Sequence, residues 1–208
     1  MAPLTAAQVR RLGRCRDAGG VALFPADTVY GLACDPGSQA AVARLYELKG
    51  RPPAKPAAVL FGALEPALEA VGAAGALAAA LRALLPGAVT VLVPNPERRF
   101  PLACGPDPVT LGLRVPRWPG RLAALAALDG PVLQSSANLS GGPEPRRLDD
   151  VAPSLRAGVE LALDGGALPG RASTVVDLRR WEAERGWSVL REGAVPSAEV
   201  ARALEPAA

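Results

Sequence analysis

No histidine occurs among the 208 residues. That absence excludes Ser-His-Asp hydrolysis, Cys-His proteolysis and every histidine-bound zinc site. Cysteine is scarce: Cys15, Cys34 and Cys104 are odd in number and far apart, which fits neither a disulfide framework nor a zinc knuckle, so they read as reduced thiols. Aromatic residues make up 4% of the chain, few for a surface that stacks RNA bases. Long apolar runs are missing too, because Gly, Pro, Arg or Asp interrupts every Ala/Leu stretch short of the roughly 18 residues a membrane span needs. A soluble protein without a membrane partner is expected. Its start, Met1-Ala2-Pro3-Leu4, lacks the basic and apolar regions of a signal peptide, so the expected location is the cytoplasm. The nucleotide motifs G-x-x-x-x-G-K-[ST] and G-x-G-x-x-G after a strand are absent, so a bound nucleotide would be held in another way. Lysine is nearly absent. All of the 23 basic residues except Lys49 and Lys55 are Arg, and those two fall in one short segment, as if a compact, flexible charge were required there.

Half of the residues are apolar, enough for a substantial core in one compact domain spanning 1–208. The net charge of +3 suits anionic ligands. Thr5 and Gln8 have capping-box spacing and predict a helix to about Gly19. Val21 to Phe24 reads as a buried strand that delivers Asp27, Thr28 and Tyr30 to its C-terminal end, where ligand groups collect. Ser38 caps a second helix with Val42, Leu45, Tyr46 and Leu48 on its core face; Gly50 ends it, leaving Lys49 and Arg51 at a helix-to-loop boundary. Further strands are expected at Ala57–Phe61, Ala88–Val93, Val109–Val115, Val132–Gln134, Val159–Leu163, Thr174–Leu178 and Ser188–Leu190. Helices are expected in two pieces over Leu64–Leu85, broken near Gly72 to Gly75, then at Pro119–Leu128, Leu148–Leu155 and from Ser197. Segments 94–108 and 140–147 read as mobile loops. The pattern is α/β, with strands and helices alternating.

Five constellations combine residues suited to chemistry. Pro25 to Leu32 places a carboxylate, a hydroxyl and a phenol between apolar runs, as a substrate site or a plain Asx turn would. Lys49-Gly50-Arg51-Pro52-Pro53-Ala54-Lys55-Pro56 sets three cations on a proline-stiffened turn, fit for a triphosphate or for a solvated face. Ser135-Ser136-Ala137-Asn138-Leu139-Ser140-Gly141-Gly142 follows a strand and offers hydroxyls, an amide and free N–H groups to phosphate oxygens, though ordinary loops share that composition. Ser173 to Asp177 and Arg191-Glu192-Gly193 lie at strand edges. Arg114 ends the apolar Thr110-Leu111-Gly112-Leu113, so it must find a partner, such as a ligand carboxylate.

In this order, P-A-D-T-V-Y-G-L, L-K-G-R-P, K-P, P-G-A-V-T, L-R-V-P, S-S-A-N-L-S-G, D-G-G, S-T-V-V-D-L and R-E-G-A-V resemble the YrdC family from about Val21 to Pro196. The resemblance implies a twisted mixed sheet flanked by helices around a concave basic cavity. It also implies a nucleotidyltransferase reaction, in which L-threonine, bicarbonate and ATP give threonylcarbamoyl-AMP and pyrophosphate. Separate proteins would carry the product to N6-threonylcarbamoyladenosine in tRNA, and weak RNA binding is a further expectation. By motif position Thr28, Arg114 and Ser173 would hold threonine, with Leu60 and Gln134 lining its pocket. Arg51, Lys55, Thr110, Ser136, Glu144 and Arg191 would contact ATP, and Lys49, Arg51 and Asn138 would contribute to catalysis beside the phosphates. Mg²⁺ would accompany ATP through phosphate oxygens and water, with no protein metal site. Departures from the family pattern are Ala26 for Thr, Ala57 for Leu, Leu85 for Trp, and Leu60 where some members have His. Two other readings remain open: a carbamoyltransferase-type domain, usually part of longer proteins, and a non-catalytic RNA-binding module.

Overall fold

The structure, a computed structural model, describes residues 2–205. Thr5 caps α1 (Ala6–Asp17) through the reciprocal bonds with Gln8, and the helix buries Val9 and Leu12. Next come β1 (Ala22–Pro25), β2 (Tyr30–Cys34) and α2 (Gln39–Lys49), which Ser38 caps and a left-handed Gly50 ends. They are followed by β3 (Ala58–Leu60), α3 (Leu64–Ala70), α4 (Gly75–Leu84), β4 (Val89–Pro94), α5 (Pro101–Cys104) and β5 (Thr110–Arg114). Then follow β6 (Val132–Ser136), α6 (Pro153–Ala157), β7 (Leu161–Ala162), β8 (Thr174–Arg180), α7 (Trp181–Glu184), β9 (Gly186–Arg191) and α8 (Ser197–Leu204).

All these strands form one sheet in the order β7-β1-β2-β6-β3-β5-β4-β8-β9. It is mixed: β1/β7, β3/β5 and β4/β8 are parallel and the remaining pairs antiparallel. Every residue of β1 and β2 is buried, as near-continuous apolar strands covered on both faces should be. No helix among the described residues is long and apolar enough to cross a membrane.

Several expected boundaries move. Tyr30 opens a second strand paired antiparallel with the first (Pro25↔Tyr30), so Asp27 and Thr28 occupy the turn of a hairpin. Ser135 and Ser136 lie within β6, because pairing with Leu32 and Gly31 prolongs that strand past Gln134. Gly120–Ala127 is 3-10 helix, not α-helix. The helix expected over Leu148–Leu155 splits into a 3-10 turn at Leu148–Asp150 and α6, as Pro153 lacks the N–H that would continue one helix through it. Segment 94–108 contains α5 and is braced by buried Asn95, which donates to the carbonyls of Arg99 (2.9 Å) and Pro108 (3.0 Å).

Candidate functional site

The hairpin turn and the end of β5 meet inside the molecule. Arg114, 3% exposed, donates from Nη2 to Asp27 Oδ1 and to Thr28 Oγ1 (2.8 Å), and from Nη1 to Gln134 Oε1 (3.4 Å). A buried guanidinium requires such pairing. Asp27 thus pairs with Arg114 within the chain, while Arg114 Nε and Asp27 Oδ2 have no hydrogen-bond partner. Burial pushes the Asp27 carboxyl above its ordinary range, and Arg114 opposes that shift. Gly31 makes the arrangement possible: a Cβ there would lie 2.6 Å from Gln134 Nε2, closing the space through which Gln134 reaches Arg114. Tyr30, pinned by bonds from its hydroxyl to Asp164 Oδ1 (2.9 Å) and the Gly166 carbonyl (3.0 Å), fixes the hairpin against the D-G-G segment.

Lys49 ends α2 but is only 2% exposed. Its Nζ donates to the carbonyls of Ser136 and Asn138 (2.7 Å) and to Asn138 Oδ1 (3.3 Å). Asn138 Oδ1 also accepts from Ser136 Oγ (2.6 Å), and its Nδ2 donates to the Gly142 carbonyl (2.7 Å). Burial, then the charge of Arg51, pushes the Lys49 ammonium down to about 8, with Glu144 opposing. The lysine stands at the expected helix-to-loop boundary, faces inward and organises the loop after β6. Arg51 stays half-buried, its guanidinium 5.7 Å from the Tyr46 ring centre and its Nη2 bonded to the Pro56 carbonyl (2.6 Å); its Nε has no partner.

A cavity of about 170 Å³ lies over these groups, and its wall brings together Arg51, Arg114, Gln134, Ser136, Glu144, Ser173 and Arg191. Glu144 reaches it because the Pro145 carbonyl accepts from Tyr30 N–H (3.0 Å), tying its loop to β2. Arg191 reaches it because Gly193 permits a close return of the chain: a Cβ there would lie 2.2 Å from the Ala172 carbonyl oxygen. Arg191 then donates to the Ser173 carbonyl (2.9 Å). A second cavity of about 400 Å³, containing Thr110, shares Pro56, Ala57, Ala58, Thr90 and Val175 with the first, so the two form one cleft with a polar and a mainly apolar compartment. A larger cavity of about 640 Å³ between α2 and α5 has Arg51 in common with the cleft but gathers fewer polar groups.

The remaining expected residues stand elsewhere. Thr28 is buried beneath the wall against Arg114, and Lys49 and Asn138 lie behind Ser136. Leu60 is fully buried in the core and is absent from the cleft wall, since its place in β3 turns it into the packed interior. Lys55 is exposed and outside the wall; its carbonyl accepts from Tyr46 Oη (2.9 Å). Sequence reasoning gave no role to Thr90, which lines both compartments and bonds Ser173 Oγ through Oγ1 (2.7 Å). Its signal was available as a polar residue alternating with Val89, Val91 and Val93. Among the described residues no group of three or more Cys, Asp or Glu is arranged to hold a metal ion.

Residues 15–193 match the Sua5/YciO/YrdC family model, described as telomere recombination. The threonylcarbamoyl-AMP synthase of Chromohalobacter salexigens is 40% identical over 172 residues, which cover 80% of this chain and 90% of that protein. The one from Pyrococcus abyssi is 31% identical over 191 residues, covering 89% of this chain and 54% of its own length. The crystal structure of P. abyssi Sua5 complexed with L-threonine superposes with a TM-score of 0.83 at 28% identity, over 97% of this chain and 58% of that one. The present chain thus spans nearly the whole of one relative and little more than half of the other. With a family model matching most of its length, and its fold shared with a solved member, the chain belongs to the Sua5/YciO/YrdC family.

Proposed function

We propose that the chain is an L-threonylcarbamoyladenylate synthase, a nucleotidyltransferase converting L-threonine, bicarbonate and ATP to threonylcarbamoyl-AMP and pyrophosphate. The convergence of Arg51, Arg114, Ser136, Ser173 and Arg191 on one wall, next to a mainly apolar compartment, carries this reading. The names of the relatives and the threonine bound to P. abyssi Sua5 support it. Threonine takes the polar compartment with its carboxylate toward Arg114, which Thr28 and Gln134 orient. The phosphates lie along Arg51, Ser136 and Arg191, and the nucleoside extends past Thr110. The threonine amine is first carboxylated; a carbamate oxygen then attacks the α-phosphorus, and the bond to pyrophosphate breaks. Such chemistry rests on positioning and on cations that neutralise developing charge, for which no histidine is needed.

Glu144 is the carboxylate on the polar wall and would hold Mg²⁺ accompanying ATP, with phosphate oxygens and water supplying its other ligands. Lys49 and Asn138 act by shaping the Ser136 loop. The product passes in the cytoplasm to proteins that modify tRNA. The test is formation of threonylcarbamoyl-AMP and pyrophosphate from ATP, expected only when threonine and bicarbonate are both present. Equal turnover with carbamoyl phosphate replacing bicarbonate would point to a carbamoyltransferase, and tight RNA binding without turnover to a binding module.

A further inference from the structure

The apolar compartment carries a polar cluster of which the reaction as proposed uses Thr110 alone. Asp107, Thr110 and Arg179 lie on its wall together with Leu92, Cys104 and Val175. Thr110 Oγ1 donates its proton to Asp107 Oδ2 (2.7 Å) and accepts from Arg179 Nη1 (3.4 Å). Arg179 is gripped by Asp177, whose carboxylate accepts from Nε (2.9 and 3.1 Å) and Nη2 (2.6 Å), and it lies 3.7 Å from Asp107. The Arg179 guanidinium holds the Asp177 carboxyl below its ordinary range, as a fork-like pair should. Asp177 lies in β8 and Thr110 starts β5, so Arg179 ties two strands that flank β4.

With its proton committed to Asp107 and one lone pair to Arg179, Thr110 can offer the cleft only an acceptor. We propose that Arg179 is a positioning residue that fixes Thr110 as an acceptor for a hydrogen-bond donor of the nucleoside. This rests on the cleft binding ATP as set out above. Two groups of ATP have that chemistry, the amino group of the base and a ribose hydroxyl. Inosine triphosphate lacks the first, and the 2′- and 3′-deoxy forms of ATP each lack one of the second.

Equilibrium binding of ATP, inosine triphosphate and the two deoxy analogues, together with steady-state kinetics, compares the native chain with Arg179→Met and Arg179→Lys. The native chain should bind ATP about tenfold more tightly than the analogue lacking the contacted donor. In Arg179→Met that preference should vanish and the KM for ATP rise about tenfold, with kcat and the KM for threonine within about twofold, and Arg179→Lys should recover part of the loss. No binding of ATP by the native chain would remove both this inference and the reaction it rests on. Native binding with an unchanged preference in Arg179→Met would overturn the inference alone. A parallel fall in kcat and threonine affinity would also overturn it, by reducing Arg179 to a structural brace.

Discussion

Lys49 keeps its charge against burial, and the two consequences for pH have opposite signs. Its pKa is held down to about 8 in the folded chain, against 10.5 for an ordinary lysine, so between those values the folded state binds fewer protons than the unfolded one. Stability therefore rises with pH across that window, and the charged lysine is a cost below it. Turnover should move the other way. The ammonium supplies donors to Ser136 and Asn138, so activity is expected to fall as pH climbs through about 8. Lys49→Arg should erase the fall, since its guanidinium does not titrate there; an unaltered pH–rate profile in that variant would assign the titration to another group. Asp27 offers a second test at this scale. Asp27→Ala strands the Arg114 guanidinium without its counter-charge, with an expected loss of about 3–5 kcal/mol on urea unfolding and weaker threonine binding.

Among the elements, the return of the chain after β9 and the start of α1 call for contrasting outcomes. Gly193→Ala would drive a Cβ into the Ala172 and Ser173 backbone, at 2.2 and 2.5 Å, and the return must shift to admit it. Arg191 would leave its place beside Ser173, so ATP turnover should drop roughly 100-fold, the scale of a 1 Å misplacement. Thr5→Ala removes a helix cap far from the cleft. It should cost about 1 kcal/mol in thermal or urea unfolding and leave kcat unchanged. Helix limits set by such local bonds were readable in the chain, as Thr5, Ser38 and Gly50 demonstrate. The hairpin at Asp27-Thr28 was not, because Tyr30-Gly31-Leu32-Ala33-Cys34 is identified as a strand by its partners on either side, one of which, β6, lies some hundred residues away.

For the whole molecule, the cleft exists because strands distant in sequence are neighbours in the sheet. β6 inserts between β2 and β3, and β5 between β3 and β4, which sets Gln134 opposite Ala58 and Arg114 opposite Leu60. By itself the sequence determined the chemical inventory, a cation-rich set without histidine, along with the helix caps and the residue types able to meet a carboxylate or a phosphate. Tertiary structure decided which of them share a wall: it turned Lys49 inward, gave Arg114 an internal counter-charge, sent Leu60 into the core and brought Thr90 to the junction of the two compartments. The reason is physical. Capping and turn formation act over three or four residues and are written locally, whereas the face a strand residue occupies is fixed by register with partners elsewhere in the chain.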